Sequence, residues 1–269
     1  MSEMIENQFE NEPKKGFYWI GIATILLVAF IWSVSSIEVQ SLNESGLTIA
    51  SNIFRGLMNP DLELLFGLTT GGVLYLLFET ICIAFLGTIF GAILAIPIAF
   101  LMAPSVVPAP IAYIVRLVVI VIRTVPALVY GLMFIRVTGP GPFAGVLTMS
   151  ITSIGMVSKL YVDIIEDLDI SILESLTSMG CTTFEKIRFG IIPQLFSNFL
   201  SITIYRFDMN LRDATILGLV GAGGIGAPLI FAMNSYRWNE VGSILVGLIV
   251  LILLVEFFSN KMRARLVKG

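Results

Sequence analysis

Four charged residues crowd one short stretch of an otherwise oily sequence: Arg206, Asp208, Arg212 and Asp213. Arginine presents a planar fork of donors that can hold two oxygens of an anion at once. The chemistry within reach is the attraction and guidance of an anion. If residues 203–213 are helical, Asp208 and Arg212 stand at i, i+4 in the favourable acidic-first order and can pair. Arg206, Asn210 and Asp213 fall on one stripe by the same periodicity. Such a stripe can line a pathway. Alternatively all four charges pair internally and hold the spans together; the residues alone leave both readings open. Glycines follow at 218, 221, 223, 224 and 226, where a membrane helix would otherwise continue. A charge at a membrane helix centre costs roughly 2.5–3.5 kcal/mol on insertion scales, so it faces a partner or a watery path. Non-helical backbone at that depth survives only when buried in protein or lining a cavity. Arg206, Asn210, Arg212, Asp213, Gly221, Gly223 and Gly224 are therefore the candidates for a translocation pathway.

Other chemistries find little support. The chain has no histidine, which removes most zinc sites and His-based triads, and no metal or catalytic residue is assigned. Residues 221–226 match the G-x-G-x-x-G dinucleotide fingerprint after a strand-like run at 216–220. That reading needs a βαβ unit in a soluble domain, and the flanks are apolar spans. No G-x-x-x-x-G-K-[ST] loop occurs, so the chain brings no ATP site of its own, and no cofactor is expected. Cys82 lies in an apolar run and Cys181 in a polar one, which reads as two free thiols. An intramembrane enzyme would need a nucleophile–base pair within a span, and a channel would conduct without ATP.

The elements that must position these residues are written in the hydropathy. Of 269 residues, 57% are hydrophobic and only 13% charged, against about 25% charged in soluble domains. Apolar runs cover residues 17–36, 72–102, 117–137, 143–162, a fifth from 191 into the charged stretch, and 241–258. Each is about long enough to cross 30 Å of hydrocarbon. The expectation is an all-α polytopic membrane protein of about six transmembrane helices. Its divisions are a tail at 1–16, a first span at 17–36 (uncleaved rather than a signal peptide), an extracytoplasmic segment at 37–70 and a transmembrane domain at 71–269. Residues 104–110 are proline-rich and read as a loop, and 138–142 as a tight turn. Six spans put both termini on one side, with Lys14, Lys15, Arg116, Lys159, Lys186, Arg188 and the basic C-terminal stretch. By the positive-inside rule that side is the cytoplasm. Among isolated charges, Glu79 calls for a partner such as an arginine, Glu256 is expected at the cytoplasmic interface near Lys261 and Arg263, and Arg123 can snorkel to the surface.

The polar stretch 163–188 carries the remaining motif. Glu174-Ser-Leu-Thr-Ser-Met-Gly180, nine residues and Gly190-Ile-Ile-Pro193 resemble the coupling motif of ABC importer permeases. That motif reads Glu-Ala-Ala, three residues, Gly, nine residues, Ile-x-Leu-Pro. Glu174, Gly180 and Pro193 keep the spacing. Ser175 and Leu176 replace the alanines, Gly190 replaces the isoleucine, and Ile192 replaces leucine conservatively. Independently of any family, Asp169, Ser171 and Thr182 can cap short helices, Gly180 can end the first, and Pro193 can open the next span. The stretches 155–161, 205–206 and 212–226, with Arg123-Thr-Val-Pro126 and Gly139-Pro-Gly-Pro142, resemble the phosphonate-type branch of these permeases. The resemblance covers roughly residues 70–265. It implies the type I importer permease fold, with a cytoplasmic loop of two coupling helices bending at Gly180 and docking on an ATPase. It also implies two ATP-binding subunits, a second permease copy, an extracytoplasmic binding protein and transport of a phosphonate or phosphite by alternating access. Methionine permeases share part of the glycine stretch, so another small solute stays open as the cargo.

Overall fold

The computed structural model describes residues 16–36 and 44–268, and every regular element among them is a helix. Of the expected tail at 1–16, residues 1–15 lie outside the described residues, and Gly16 is the first residue of a helix. The chain divides into two units, residues 1–50 and 51–269. In the first, α1 (Gly16–Ser36) is apolar throughout and exposed along its described length, as a lipid-facing span is.

The second unit holds the helices that build the site. Helix α2 (Glu44–Met58) enters it, followed by α3 (Leu62–Phe66), α4 (Val73–Met102), α5 (Ala109–Thr124), α6 (Ala127–Thr138) and α7 (Pro142–Glu166). Then come α8 (Ile170–Ser178), α9 (Thr183–Glu185), a π-turn at Lys186–Ile191, α10 (Ile192–Leu219), α11 (Gly226–Asn234) and α12 (Trp238–Lys268). Among the described residues five helices are long and apolar enough to cross a membrane, and a sixth crossing arises if α5 and α6 count as one broken span.

Three expectations change on contact with the structure. The run 117–137 is not one straight helix: α5 and α6 meet at an 84° bend. Pro126 has no N–H to continue the ladder, and Val125 before it is extended (φ −83, ψ 122), as residues before proline prefer. Pro193 stands in the first turn of α10 as expected, but no break precedes that helix. The rod is continuous from Thr183 to Leu219, and the N–H of Ile192 reaches back five residues to the carbonyl of Ile187. This π-turn widens the helix just where proline would otherwise disrupt it. Ser171 caps nothing; it stands in the first turn of α8 and donates its N–H to Asp169, the real N-cap.

Small residues set the packing. A Cβ at Gly87 would fall 2.2 Å from Met149 Cβ, and one at Gly91 2.4 Å from Ser153 Cβ. The Gly-x-x-x-Gly spacing thus lets α4 and α7 touch backbone to backbone, the usual device for helix association in lipid. Likewise, a Cβ at Gly242 would sit 1.9 Å from the Gly56 carbonyl oxygen, so α12 rests directly on the end of α2. One apolar core joins Met102, Tyr161, Ile165, Ile191 and Leu195 at the end of the bundle where α4 and α7 finish. Another joins Val73, Leu76, Ile225, Val241 and Ile244 at the opposite end.

Candidate functional site

Three constellations lie along the bundle. The first is the polar loop. Asp169 accepts the N–H of Ser171 at 2.9 Å, which holds its carboxyl below the usual range. At the other end of α8, Gly180 has φ +82; its N–H bonds the Thr177 carbonyl at 2.9 Å, and the Cys181 N–H bonds that of Leu176 at 3.1 Å. This pair of bonds is a Schellman closure, which needs the left-handed residue glycine supplies. Thr182 and Glu185 form a reciprocal capping box for the next turn. Beyond it the rod runs unbroken into α10. Glu174 is exposed and lines a cleft of about 330 Å³ with Ser105, Thr177, Thr183, Lys186 and Ile191. Behind the loop, Arg116 donates its Nε to the Met102 carbonyl at 2.9 Å and pairs with Glu166, tying α5 to the ends of α4 and α7.

The second constellation sits midway along α4, α7 and α10. Arg206 is 5% exposed, and its guanidinium donates to Ser153 Oγ, Thr152 Oγ1 and Met156 Sδ, each at 3.1 Å. Asn210, fully buried, donates to Thr88 Oγ1 and to Ser153 Oγ, both at 2.8 Å. One turn nearer the loop, the Tyr161 hydroxyl lies 2.6 Å from Thr203 Oγ1 and its ring packs on Phe199. Residues 203–213 are helical, and Asp208 and Arg212 pair at 3.0 Å. Arg212 is half-exposed and also reaches Glu256 at 3.2 Å, so Glu256 is bound to α10 rather than to the cations near the end of α12. The stripe Arg206, Asn210, Asp213 splits: the first two point inside the bundle and Asp213 is only partly buried. Among the described residues neither Arg206 nor Asp213 forms an ion pair, so the charges do not simply cancel one another. Asp208 Oδ1 and Asn210 Oδ1 are buried and accept no hydrogen bond. Buried acceptors without donors are costly, and this region concentrates two of them beside an arginine.

The third constellation is the glycine stretch. Helix α10 ends at Leu219, and residues 220–225 are non-helical, with Gly221 (φ +96), Gly223 (φ +82) and Gly224 (φ +74) in backbone that disfavours side chains. Room is short as well: a Cβ at Gly223 would meet Pro142 Cα at 2.7 Å. Glu79 does not meet an arginine. Its Oε1 accepts the N–H of Gly224 at 3.0 Å, while the neighbouring Thr80 Oγ1 accepts that of Ile225 at 3.0 Å. Two residues of α4 thereby satisfy amides that the broken helix frees. The Gly139–Pro142 turn closes the other side, with the Gly141 N–H on the Gly221 carbonyl at 2.9 Å. Arg123 is exposed just before the α5–α6 bend, its Cγ occupying the space a Cβ at Gly155 would need.

A capped loop at one end, a continuous rod leading from the turn after it, buried polar residues at mid-span and a broken helix at the far end thus lie along one bundle. Residues 95–268 match the family of binding-protein-dependent transport system inner membrane components. The chain belongs to this family. A Stutzerimonas stutzeri protein named for a phosphite transport system permease is 30% identical over 251 residues, 93% of this chain and 87% of that protein. A phosphate-import permease protein of Mycolicibacterium smegmatis is 34% identical over 190 residues, 70% of this chain and 36% of that protein. The fold is also that of a methionine ABC transporter solved in inward-facing conformations, with TM-score 0.65 at 17% identity over 75% of this chain and 99% of that one. The protein is thus an all-helical, multi-pass permease of the ABC importer type.

Sequence reading missed Thr88, Thr152, Ser153 and Met156, the partners of Arg206 and Asn210. Small hydroxyls in an apolar helix look like ordinary packing residues. Thr80 was missed for the same reason. The Gly87/Gly91 spacing that packs α4 on α7 was missed too, although a Gly-x-x-x-Gly pair in an apolar run is a usable signal.

Proposed function

We propose that this permease is the pathway-forming subunit of an ATP-driven importer for a small phosphorus oxyanion, phosphite or a phosphonate. Two copies would form the pathway, each joined at its 170–193 segment to an ATP-hydrolysing subunit, with an extracytoplasmic binding protein delivering the cargo. Both termini then lie in the cytoplasm with the loop. The observation that carries the reading is the continuity of the Thr183–Leu219 rod. It starts directly after the Gly180–Thr182 turn that ends the Glu174-bearing helix and reaches Arg206 at mid-span without a further break. A displacement of the loop by closing ATPases would tilt α10 and move Arg206, Asn210 and the glycine stretch together, which is what alternating access requires. The names of the relatives support the cargo class, and so does the guanidinium chemistry of Arg206 and Arg212. The test is ATP hydrolysis by the reconstituted complex with its binding protein. Stimulation by phosphite or a phosphonate, and not by methionine, is expected. Stimulation by methionine alone would overturn the cargo, and failure of any ATPase to associate would overturn the importer reading itself.

A further inference from the structure

Two of the loop's three departures from the coupling motif turn out to face each other. Leu176 stands where the motif has a small alanine, and Gly190 where it has a bulky isoleucine. In the structure, a Cβ built on Gly190 would fall 2.5 Å from Leu176 Cδ1, and no other atom lies closer to it. The Leu176 side chain therefore fills the space that a side chain at 190 would claim. Gly190 is buried inside the π-turn and Leu176 half-buried on α8. The backbone of Leu176 is held as well, its carbonyl accepting the Cys181 N–H at 3.1 Å in the turn that closes α8.

We propose that Leu176 and Gly190 are a knob and hole whose sizes are exchanged relative to the motif. Their contact locks α8 to the π-turn, making them positioning residues for coupling. The covalent link from α8 to the rod is the Gly180–Thr182 turn, where a Cβ built on the left-handed Gly180 would meet nothing within 4 Å. A push received at Glu174 passes across the Leu176–Gly190 contact into residues 186–191 and on into α10. The size exchange keeps the total side-chain volume to within one methyl group, the kind of core change that packing tolerates, whereas either half alone leaves a void or an overlap. This rests on the reading of the loop as the ATPase-docking element.

The test is a double-mutant cycle in the full reconstituted complex, reading uptake, ATP hydrolysis and the amount of ATPase co-purified. Leu176→Ala is expected to lower the uptake per ATP hydrolysed at least threefold, because the loop yields instead of transmitting. Gly190→Ile should do the same or worse through overlap. Leu176→Ala combined with Gly190→Ile restores the motif's own arrangement and should recover uptake per ATP to within about twofold of the parent. A double variant as uncoupled as the worse single variant overturns the knob-and-hole assignment. Should the single variants leave the ratio unchanged, the contact transmits nothing and the proposal also fails. Loss of ATPase co-purification in neither these variants nor Glu174→Lys would point instead to the docking reading as the error.

Discussion

At the scale of single residues, the polar centre makes a sharp prediction about Arg206. Its three donors end on neutral atoms, so an apolar side chain of similar length costs no ion pair and removes a buried charge's desolvation. Arg206→Met should therefore leave thermal stability in detergent unchanged or raised, while oxyanion uptake falls at least tenfold. Uptake at the parental rate would assign Arg206 to packing alone. Asn210→Ala tests the opposite balance. It removes two donors to buried hydroxyls, and membrane hydrogen bonds average about 0.6 kcal/mol each. With the void added, a loss of about 1–2 kcal/mol is expected, seen as a melting point several degrees lower; an unchanged melting point would mean the amide is dispensable. The Asp208–Arg212 pair was legible in the sequence because i, i+4 contacts are fixed by helix geometry alone. The partners of Arg206 were not. Ser153 is 53 positions away and Glu79 is 145 from Gly224, and nothing local in the sequence encodes which helix faces which.

At the scale of elements, the loop and the glycine contacts separate conformational from steric effects. Gly180 has φ +82 and open space around its Cβ direction. Gly180→Ala should therefore cost only the left-handed conformation, about 1 kcal/mol. Its permease should still bind the ATPase, whereas Gly180→Trp and Glu174→Lys are expected to abolish uptake while the protein stays in the membrane. Normal ATPase association and uptake in both would refute the docking role. Gly91 is the reverse case, with helical backbone but a neighbour at 2.4 Å. Gly91→Leu should push α4 from α7 and cost several kcal/mol, comparable to overpacking a core. Gly21→Leu, with nothing within 4 Å, is the matched control and should leave the melting curve where it is. The capped helices at 170–185 were readable because caps and C′ glycines are local chemistry. The π-turn was not, since it is a compromise between a proline and a rod that tertiary packing holds straight. The bend at Pro126 lies between: proline announces a break, but only the bundle sets its 84°.

At the scale of the whole molecule, the spans and their number were legible from hydropathy, because bilayer thickness fixes the length of an apolar helix. What hydropathy does not rank is which spans form the working core. The unit of residues 51–269 contains every constellation described above, and the family match lies within it, at 95–268. Helix α1 belongs to the other unit and buries none of its described residues. Removing it leaves the family-matched residues 95–268 intact. Orientation should survive too. Lys14 and Lys15 would be lost, but Arg116, Lys159, Lys186, Arg188 and the basic stretch from Lys261 remain, and these cations near the span ends bias insertion in the same sense. A variant lacking residues 1–43 is therefore expected to insert, to co-purify with its ATPase and to show cargo-stimulated hydrolysis within about twofold of the full chain. Quantifying the variant in washed membranes before assay keeps insertion apart from function. If it is present there yet hydrolysis no longer responds to cargo, α1 takes part in transport and the working core is larger than residues 51–269.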